Sequence, residues 1–480
     1  MSKIFPLVDH LYIFQILEYN IWDFLKWFIK HPFKRNLQKK HTLEWTAKAK
    51  LLFLISLLLI LIDSAKGSLF LFQNLWFSPL FIPLVIFFSP IFLVVSQILL
   101  LPLEYYQKDK ILNQTKLKLN NLSKLKIIAI TGSFGKTSTK DILYTLLWKK
   151  FRVVKTPRSY NNPLSIASTI FELVKEDTQI LIAEVGAYKK GEIKKIAKLI
   201  KPQVGIITAI APQHLEKFGS IENIANSKFE LIESLPSNGL AVLNGESEWL
   251  VNLSKNAPCK VIFYGGREII DTKISYSRYL YQYTATDIQV STYGTSFLLS
   301  TPKGKIKIEI PLIGEHYAKN FLAAATIALQ LGLSLNEVRQ RAKLLLPTPH
   351  RLEIKKQGNI TLIDNSYNTN PESSKLSFKL LKDYPGDQKI IITPGLIELG
   401  RQSEKENIEF GKDANKVADE IIIVGENARE FLVKGLKEAN FPKEKIHIVL
   451  ELKDGLNLLS QIGKPNAIVL LENDLPDNYF

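Results

Sequence analysis

A chain of 480 residues with a net charge of +16 and one cysteine, Cys259, is long enough for two or three domains with buried cores. A single cysteine excludes an intrachain disulfide. Basic residues concentrate between positions 30 and 50, beside apolar segments, and the chain has no zinc-finger spacing and no aromatic–basic RNA-binding pattern. The charge therefore indicates contact with an anionic membrane surface and argues against nucleic acid as a partner.

The first 103 residues hold much of the apolar excess, and their pattern predicts a membrane anchor. Residues 51–62 form an uncharged apolar run, which reaches bilayer-crossing length over 45–65 once the flanking Trp and Lys residues are included. The stretch 67–103 has no charge, and its prolines predict one span plus an interfacial or re-entrant piece. About two crossings are expected, with a water-soluble apolar helical domain as the alternative.

Two further segments flank the predicted spans. Residues 11–29 mix Glu18, Asp23 and Lys26 with aromatic side chains, which predicts one interfacial amphipathic helix. Residues 105–125 are rich in Lys and Asn with Leu at intervals, which predicts a linker helix along the membrane surface.

The strongest local signal is a phosphate-binding loop. An apolar, β-rich run at 126–130 is followed by Thr-Gly-Ser-Phe-Gly-Lys-Thr-Ser at 131–138 and by a helix-compatible stretch at 139–147. A strand, a glycine turn and a helix N-terminus present bare amides and a helix dipole to phosphate. Two residues rather than four separate the glycines, so the placement after a strand carries the prediction of a nucleotide site. In such a loop Lys136 neutralises phosphate oxygens and Thr137 offers a hydroxyl to Mg²⁺.

Further blocks follow in an order that resembles the Mur ligase family, closest to its branch that adds D-alanyl-D-alanine. The short loop is itself similar to the nucleotide loop of that family. The other matching blocks are Leu181–Ala187, Ile210–Glu216, Ile224–Glu230, Gly314–Ala324, His350–Glu353 and Ile363–Pro371. Together the blocks cover roughly 126–425, and their order makes the resemblance specific.

The resemblance implies an ATP-dependent ligase that forms an amide through an acyl phosphate, with ATP and Mg²⁺ as cofactors. It implies four catalytic residues, Lys136, Glu184, His214 and Lys228, and four metal ligands, Thr137, Glu184, His214 and Lys228 as a carbamate. The implied ATP contacts are Gly132, Ser133, Phe134, Gly135, Lys136, Thr137, Ser138, Asn320, Arg351 and Asn365. The implied substrate contacts are Asn161, Asn162, Tyr367 and Asn368.

Simpler interpretations stand beside three of these assignments. His214 in a loop and Lys228 on a helical stretch are also typical of solvated surface residues. Asn320 also suits a helix N-terminal cap. Glu184 needs no such alternative, because a carboxylate at the end of an apolar strand is a hard oxygen ligand suited to Mg²⁺.

The chain departs from the family mainly on the substrate side. Asn365 stands where the family has a second Asp, Tyr317 replaces an Asn, and the closing Lys-Gly-Ser-Arg element is absent. The soluble domain that holds the uridine-nucleotide sugar in that branch is not found, and apolar segments occupy its place. ATP chemistry is therefore better supported than the identity of the substrate.

The strand pattern predicts an α/β fold in two parts. Strands near 126–130, 180–185, 204–210 and 240–243, with antiparallel strands at 285–313, predict a nucleotide-binding domain. Strands near 360–364, 389–393, 420–424 and 466–471 predict a small Rossmann-like sheet. The predicted organisation is an anchor at 1–103, a linker at 104–123, a central P-loop ATP-binding domain at 124–346 and a C-terminal domain at 347–480.

The expected function is the addition of an amino acid or dipeptide, D-alanyl-D-alanine by resemblance, to a nucleotide-linked or lipid-linked muramoyl peptide. An even number of crossings keeps the basic segment and the ATP-using domains on the cytoplasmic side of a bacterial inner membrane. Two alternatives stay open. One is a related ligase for another polymer such as poly-γ-glutamate, and the other is a membrane-tethered ATP-binding scaffold without catalysis.

Overall fold

The computed structural model describes residues 7–31, 42–73, 89–213, 215–265, 283–367, 369–426 and 428–473. Residues 1–110 and 111–474 belong to two separate compact units. Two predicted site residues, His214 and Asn368, lie outside the described residues, as do 74–88, which contain two prolines of the second apolar stretch.

The N-terminal unit begins with two short helices, α1 (Leu7–Ile16) and α2 (Ile21–Lys30). Between them Glu18 and Tyr19 adopt left-handed backbone angles, with φ of 53° and 58°. The Asn20 side chain then accepts hydrogen bonds from the amides of Trp22 and Asp23, which starts α2. The prediction of a single amphipathic helix over 11–29 is wrong, because this polar turn and its cap divide the segment.

Two long helices follow, α3 (Ala47–Gln73) and α4 (Ser89–Asn121). Lys48 Nζ lies 2.9 Å from Glu104 Oε1, and the hydroxyl oxygens of Ser56 and Ser96 are 2.8 Å apart in a buried contact. The pairs 48–104 and 56–96 run in opposite directions along the two helices, so α3 and α4 are antiparallel. Small polar residues at such a contact let helices approach closely, as they do in membranes.

The middle of α3 and the first half of α4 expose apolar side chains. Leu54, Leu58 and Leu61 on α3 and Ile98 and Leu99 on α4 are each 50–60% exposed. Within the described part of the chain, one helix, Pro90–Asn121, is long and apolar enough to cross a bilayer, with a mean hydropathy of 1.2. That criterion uses length and composition alone, so the two-crossing anchor stays a prediction.

The last third of α4 belongs to the second unit and packs on protein. Leu112, Leu119 and Leu122 lie against the core of the central domain. Lys118 Nζ donates to the carbonyl oxygen of Ile170, at 2.8 Å, at the end of a neighbouring helix. The predicted linker is therefore a continuation of α4, and its apolar face contacts the domain instead of a membrane surface.

A nine-stranded sheet forms the frame of the central domain. Its strands are β1 (Lys126–Thr131), β2 (Val153–Lys155), β3 (Ile180–Glu184), β4 (Val204–Ile207), β5 (Leu240–Asn244), β6 (Lys260–Gly265), β7 (Tyr283–Ser291), β8 (Gly294–Thr301) and β9 (Gly304–Ile310). Their spatial order is β2-β3-β1-β4-β5-β6-β7-β8-β9. The sheet is parallel from β2 to β7 and antiparallel from β7 to β9. Because β1 lies between β3 and β4, the carboxyl ends of these three strands open into one crevice.

Helices cover both faces of this sheet, because successive strand residues point to opposite sides. Ile128 and Ile130 of β1 belong to one core, whereas Ile127 and Ala129 belong to the other. The helices of the domain are α5 (Lys136–Leu147), α6 (Pro163–Leu173), α7 (Glu192–Ile200), α8 (Leu215–Phe218), α9 (Ile221–Glu233), α10 (Glu248–Leu253), α11 (Glu315–Gln330) and α12 (Leu335–Ala342). The first core includes α5, α11 and α12, and the second includes α6, α7 and α9.

A six-stranded sheet forms the C-terminal domain. Its strands are β10 (Glu353–Gln357), β11 (Ile360–Asn365), β12 (Gln388–Thr393), β13 (Glu420–Val424), β14 (Ile446–Val449) and β15 (Ala467–Glu472), in the order β10-β11-β15-β12-β13-β14. All pairs are parallel except β10 with β11. The accompanying helices are α13 (Pro371–Asp383), α14 (Ser403–Asn415), α15 (Arg429–Glu438) and α16 (Leu452–Ile462). The predicted Rossmann-like domain is confirmed.

An apolar contact joins the two domains of the second unit. Leu215 and Phe218 of α8 and Ile224 of α9 share a core with Leu396 and Leu399 of the C-terminal domain. This contact holds the C-terminal domain beside the crevice at the ends of β1, β3 and β4.

Candidate active site

The loop between β1 and α5 packs so closely against neighbouring segments that both of its glycines are required. Gly132 has a φ of 152° and Gly135 a φ of 81°, both in the region that favours glycine. A Cβ atom on Gly132 would lie 2.0 Å from Thr208 Oγ1, and one on Gly135 would lie 2.5 Å from Asn320 Oδ1. A side chain at either position would push the neighbouring segment away from the loop.

Contacts with the residues that follow β4 hold this loop in place, and one of them is the Ser133 amide, which donates to the carbonyl oxygen of Ala209 at 2.8 Å. Ser133 Oγ donates to the carbonyl oxygen of Ala211 at 2.9 Å and accepts from its amide at 3.0 Å. Thr208 Oγ1 donates to the carbonyl oxygen of Phe134. Within the described residues, the backbone N–H groups of 134–137 donate to no protein acceptor. Unpaired amides at the start of a helix form an anion site.

The Lys136 side chain folds back over the loop. Its Nζ donates to the carbonyl oxygen of Gly132 at 2.7 Å. Burial lowers the pKa of Lys136 to about 8, an effect that the Glu184 carboxylate opposes and the Arg351 guanidinium reinforces. Lys136 therefore lies within the electrostatic reach of both groups, and an incoming phosphate would favour its ammonium form.

Glu184, the last residue of β3, is the buried carboxylate at the centre of the site. Its Oε2 accepts hydrogen bonds from Thr137 Oγ1 at 2.9 Å and from Lys140 Nζ at 3.0 Å. Its Oε1 lies 3.5 Å from Asn161 Nδ2, and its backbone amide donates to Thr156 Oγ1 at 3.0 Å. One carboxylate thus connects the start of α5 to the loop at 156–162.

Lys228 on α9 is buried, with 4% of its surface exposed. In the part of the chain that the structure describes, no hydrogen bond or ion pair is made by its Nζ. Burial, reinforced by repulsion from Lys136, lowers the pKa of Lys228 well below its ordinary value. The interpretation of Lys228 as a solvated surface residue is therefore wrong.

Glu230, two residues after Lys228 on α9, has a structural role. Its carboxylate accepts hydrogen bonds from the amides of Gly191, at 2.7 Å, and Lys194, at 3.0 Å. These amides belong to the first turn of α7, which leaves its N-terminal donors satisfied. Glu230 therefore fixes α7 against α9, the helix that carries Lys228.

Arg351 approaches the same crevice at the start of the C-terminal domain. Its guanidinium carbon lies 4.3 Å from the centroid of the Tyr367 ring, which is a cation–π contact. Tyr317 donates its hydroxyl hydrogen to the carbonyl oxygen of Arg351 at 2.7 Å. Tyr317, a departure from the family pattern, thus supports the Arg351 backbone, and Tyr367 supports the side chain.

Two adjacent residues at the end of β11 lie in different environments. Asp364 accepts from Ser366 Oγ at 2.6 Å and from Lys355 Nζ at 3.0 Å. Burial acts to raise the pKa of Asp364, but these hydrogen bonds hold it below its usual value. Asn365 Nδ2 instead donates to Glu472 Oε2 at 3.0 Å, and burial raises the pKa of Glu472 to about 8. The Asn365 amide is committed to a neutral buried carboxyl, which argues against its predicted ATP contact.

Two more asparagines take structural positions. Asn320 lies in the interior of α11, which is capped at Gly314, so the N-terminal-cap interpretation of Asn320 is wrong. Asn162 caps α6, where its Oδ1 accepts from the Ser165 amide at 2.9 Å. The side-chain oxygen of Asn162 is thus used in capping α6, which argues against the predicted substrate contact.

Sequence reasoning missed Lys140 and Thr208. Lys140 follows Lys136 by four residues, so both lie on one face of α5, and that spacing was the available signal. Thr208 comes directly after β4, at the strand end where the crevice opens. No sequence pattern indicates that its hydroxyl packs under Gly132.

The residues present suit ATP and Mg²⁺. The Thr137 hydroxyl and the Glu184 carboxylate, 2.9 Å apart, are hard oxygen donors of the kind that Mg²⁺ binds. The free amides of 134–137 suit phosphate oxygens. Among the described residues no cluster of three or more His, Cys, Asp and Glu side chains could hold a metal ion. Among the described residues, the ligands that a metal could use beside the carboxylate are the hydroxyl, a phosphate oxygen of the nucleotide and a modified Lys228.

Comparison with known proteins gives matches along most of the second unit. A family model described as the Mur ligase middle domain matches residues 130–328, and one described as Mur ligase, glutamate ligase domain matches 350–472. The UDP-N-acetylmuramoyl-tripeptide--D-alanyl-D-alanine ligase of Escherichia coli (strain K12) is 31% identical over 63% of this chain and 65% of its own length. The enzyme of the same name from Buchnera aphidicola subsp. Acyrthosiphon pisum is 31% identical over 68% of this chain and 74% of its own. This chain therefore matches just under two thirds of the E. coli protein.

Solved structures have the same fold. MurF from Acinetobacter baumannii superposes with a TM-score of 0.67 at 24% identity, covering 78% of each chain. MurF ligase from Thermotoga maritima in complex with ADP gives a TM-score of 0.66 at 24% identity, covering 76% of this chain and 80% of that one.

We expect Gly135→Ala to weaken nucleotide binding, because the new Cβ would meet Asn320 and the left-handed backbone would be strained. Strain alone costs about 1–2 kcal/mol, and displacement of the loop should lower ADP affinity at least about tenfold. Isothermal calorimetry with ADP measures the change. Gly358→Ala is the matched control, since Gly358 has a φ of 59° and nothing within 4 Å of the added Cβ. Equal loss of ADP affinity in both variants would contradict the assignment.

Proposed function

The chain belongs to the Mur ligase family, and we propose that it is an ATP-dependent ligase joining D-alanyl-D-alanine, or a related amine, to a muramoyl-peptide carboxylate. Two segments contact Glu184: the phosphate loop through Thr137 and the loop at 156–162 through Asn161. This shared contact is the observation that carries the proposal. A site for phosphoryl transfer to a carboxylate needs both partners beside one metal-binding carboxylate. The names of the relatives support the choice of substrates.

In this proposal the acceptor carboxylate attacks the γ-phosphorus of ATP, ADP leaves, and an acyl phosphate forms. The amine then attacks the acyl carbon, and inorganic phosphate leaves as the amide forms. Lys136 and the amides of 134–137 orient the phosphates and neutralise their charge. Thr137 and Glu184 would hold Mg²⁺, which would supply further neutralisation of the charge on the transferred phosphoryl group.

Protection of the acyl phosphate from water is the second requirement. Leu215 and Phe218 pack with Leu396 and Leu399, which keeps the C-terminal domain against the crevice. Arg351 is fixed by Tyr317 and Tyr367 at that boundary, where its charge can balance a phosphate. Excluding water in this way prevents hydrolysis of a reactive intermediate.

The purified protein should release ADP from ATP only when acceptor and amine are both present, and hydroxylamine should trap the acyl phosphate.

We expect Lys136→Ala to lower turnover about a hundredfold or more, because one preorganised cation is lost from the transition state. Lys149→Ala, at an exposed lysine in the turn that follows α5, is the control. An ADP-release assay with uridine-linked and lipid-linked muramoyl peptides and a panel of amines measures both. ADP release with glutamyl acceptors alone would favour the poly-γ-glutamate alternative. A protein that binds ATP but gives neither ADP nor hydroxamate would be a scaffold.

We also propose that Lys228 is carbamylated. Carbamylation needs a neutral amine, and burial favours that form by lowering the pKa of Lys228 well below its ordinary value. The product places an anion beside Lys136, which repels the ammonium form of Lys228, and it would give the site a second carboxylate-like oxygen ligand.

Protein equilibrated with ¹³C-bicarbonate should show one carbamate resonance in its ¹³C spectrum. The signal should weaken as the pH is lowered, because the amine becomes protonated. Lys228→Arg should abolish it, whereas Lys118→Arg should leave it unchanged. A wild-type spectrum without a carbamate signal would refute the modification.

We propose further that α3 and α4 anchor the chain in the cytoplasmic membrane, with the catalytic domains facing the cytoplasm. Support comes from the antiparallel pairing through Ser56 and Ser96, the exposed leucines outside it, and the adjacent Lys48–Glu104 ion pair. An antiparallel pair of crossings returns the chain to the side on which it started, where ATP is available.

The full-length protein should remain with carbonate-washed membranes and should require detergent for extraction. Peripheral attachment by charge would be released by carbonate, whereas apolar helices would not. Recovery of the full chain in the soluble fraction without detergent would contradict the anchor.

A further inference from the structure

Lys140 is a buried cation that no step of the proposed reaction uses. It lies one turn after Lys136 on α5, and its side chain and that of Glu184 are each 1% exposed. Its Nζ lies 3.0 Å from Glu184 Oε2 and also donates to the carbonyl oxygen of Arg158. A buried ammonium is costly unless it is paired, so these two acceptors fix its position.

The acceptor of the second hydrogen bond belongs to an unusual loop. Arg158 has a left-handed φ of 45°, which turns its carbonyl toward α5. The loop is also joined to the end of β3: Thr156 N–H donates to the Ile182 carbonyl at 3.0 Å, Glu184 N–H donates to Thr156 Oγ1, and Gly186 N–H donates to the Asn161 carbonyl at 2.9 Å. Lys140 adds a link of another kind, between the helix of the phosphate loop and the loop at 156–162.

We propose that Lys140 is a positioning residue that fixes the metal-binding carboxylate and the substrate-side loop relative to each other. The inference rests on the proposed function, in which the loop at 156–162 binds the carboxylate acceptor. Lys140 would then determine the geometry of that loop. With Lys140 in place, Glu184 Oε2 is held toward Thr137, and Asn161 stays beside Oε1. Without it, the loop loses its bond to α5 and the carboxylate loses its fixed orientation.

A purely structural ion pair would have a different signature. Loss of such a pair would destabilise the whole domain and lower the affinity for every ligand to a similar extent. A positioning role acts on the loop and on metal-dependent binding, while the amides of 134–137 that contact phosphate remain in place. Metal-free ADP binding therefore separates the two.

The test compares Lys140→Met with the full-length wild-type protein, without ligands, by hydrogen exchange of peptides covering 156–162. Loss of a charge-assisted hydrogen bond should speed exchange there about tenfold or more. The Mg²⁺ concentration for half-maximal ADP binding and the KM for the acceptor should each rise about tenfold, while ADP affinity in EDTA should stay within about twofold. Lys150→Met is the matched control, because Lys150 also donates to a backbone carbonyl, that of Gly332, at 2.6 Å.

Lys140→Gln, which keeps a neutral donor on a side chain one atom shorter, serves if the methionine variant does not fold. Unchanged exchange at 156–162, or a fall in metal-free ADP affinity equal to that with Mg²⁺, would overturn the positioning role. The exchange and EDTA measurements do not depend on turnover, so they can fail while the ligase assay succeeds. Absence of wild-type turnover would instead reject the proposed function.

Discussion

The carboxylate of Glu184 is almost completely removed from water, and an ionised group in that position is stable only when it is paired and hydrogen-bonded. Its partners come from two separate segments, Thr137 and Lys140 on α5 and Asn161 on the following loop. The hydrogen bonds to one buried charge therefore fix the phosphate loop, α5 and the loop at 156–162 relative to one another. The order of strands makes this arrangement available, because β1 and β3 are neighbours and end at the same edge of the sheet.

The electrostatics of the site follow from an excess of positive charge around that carboxylate. Lys136 is repelled by Arg351 and in turn repels Lys228, and burial lowers the pKa of both lysines. Positive groups in such surroundings favour a ligand that carries several negative charges. A triphosphate would neutralise this excess, and conversion of Lys228 to a carbamate would remove part of it.

Most of the fold and the phosphate loop could be predicted from the sequence, because the signals are local. Apolar runs mark the buried parallel strands, and the glycine turn after β1 marks the loop. Three of the four strands that were missed, β2, β10 and β14, lie at sheet edges, where short or polar sequences leave a weak pattern. The division of 11–29 into two helices depended on one capping asparagine, Asn20, inside an otherwise amphipathic pattern.

The rest of the site depends on contacts between residues far apart in sequence. Asn365 lies where a phosphate contact was expected, but its amide bonds to Glu472, more than a hundred residues away on β15. Lys140 looks like an ordinary helical lysine until β3 brings Glu184 under it. The last turns of α4 could not be assigned to the central domain either, because their leucines suit a membrane surface and a protein core equally well.

Isotope transfer tests the central claim most directly. An acceptor peptide labelled with ¹⁸O in its reacting carboxylate should pass one labelled oxygen to inorganic phosphate in each turnover, detected by mass spectrometry of the phosphate. Such transfer requires that the γ-phosphoryl group held at 132–137 reaches the carboxylate positioned beside Glu184. Amide formation with unlabelled phosphate would contradict an acyl phosphate in this crevice.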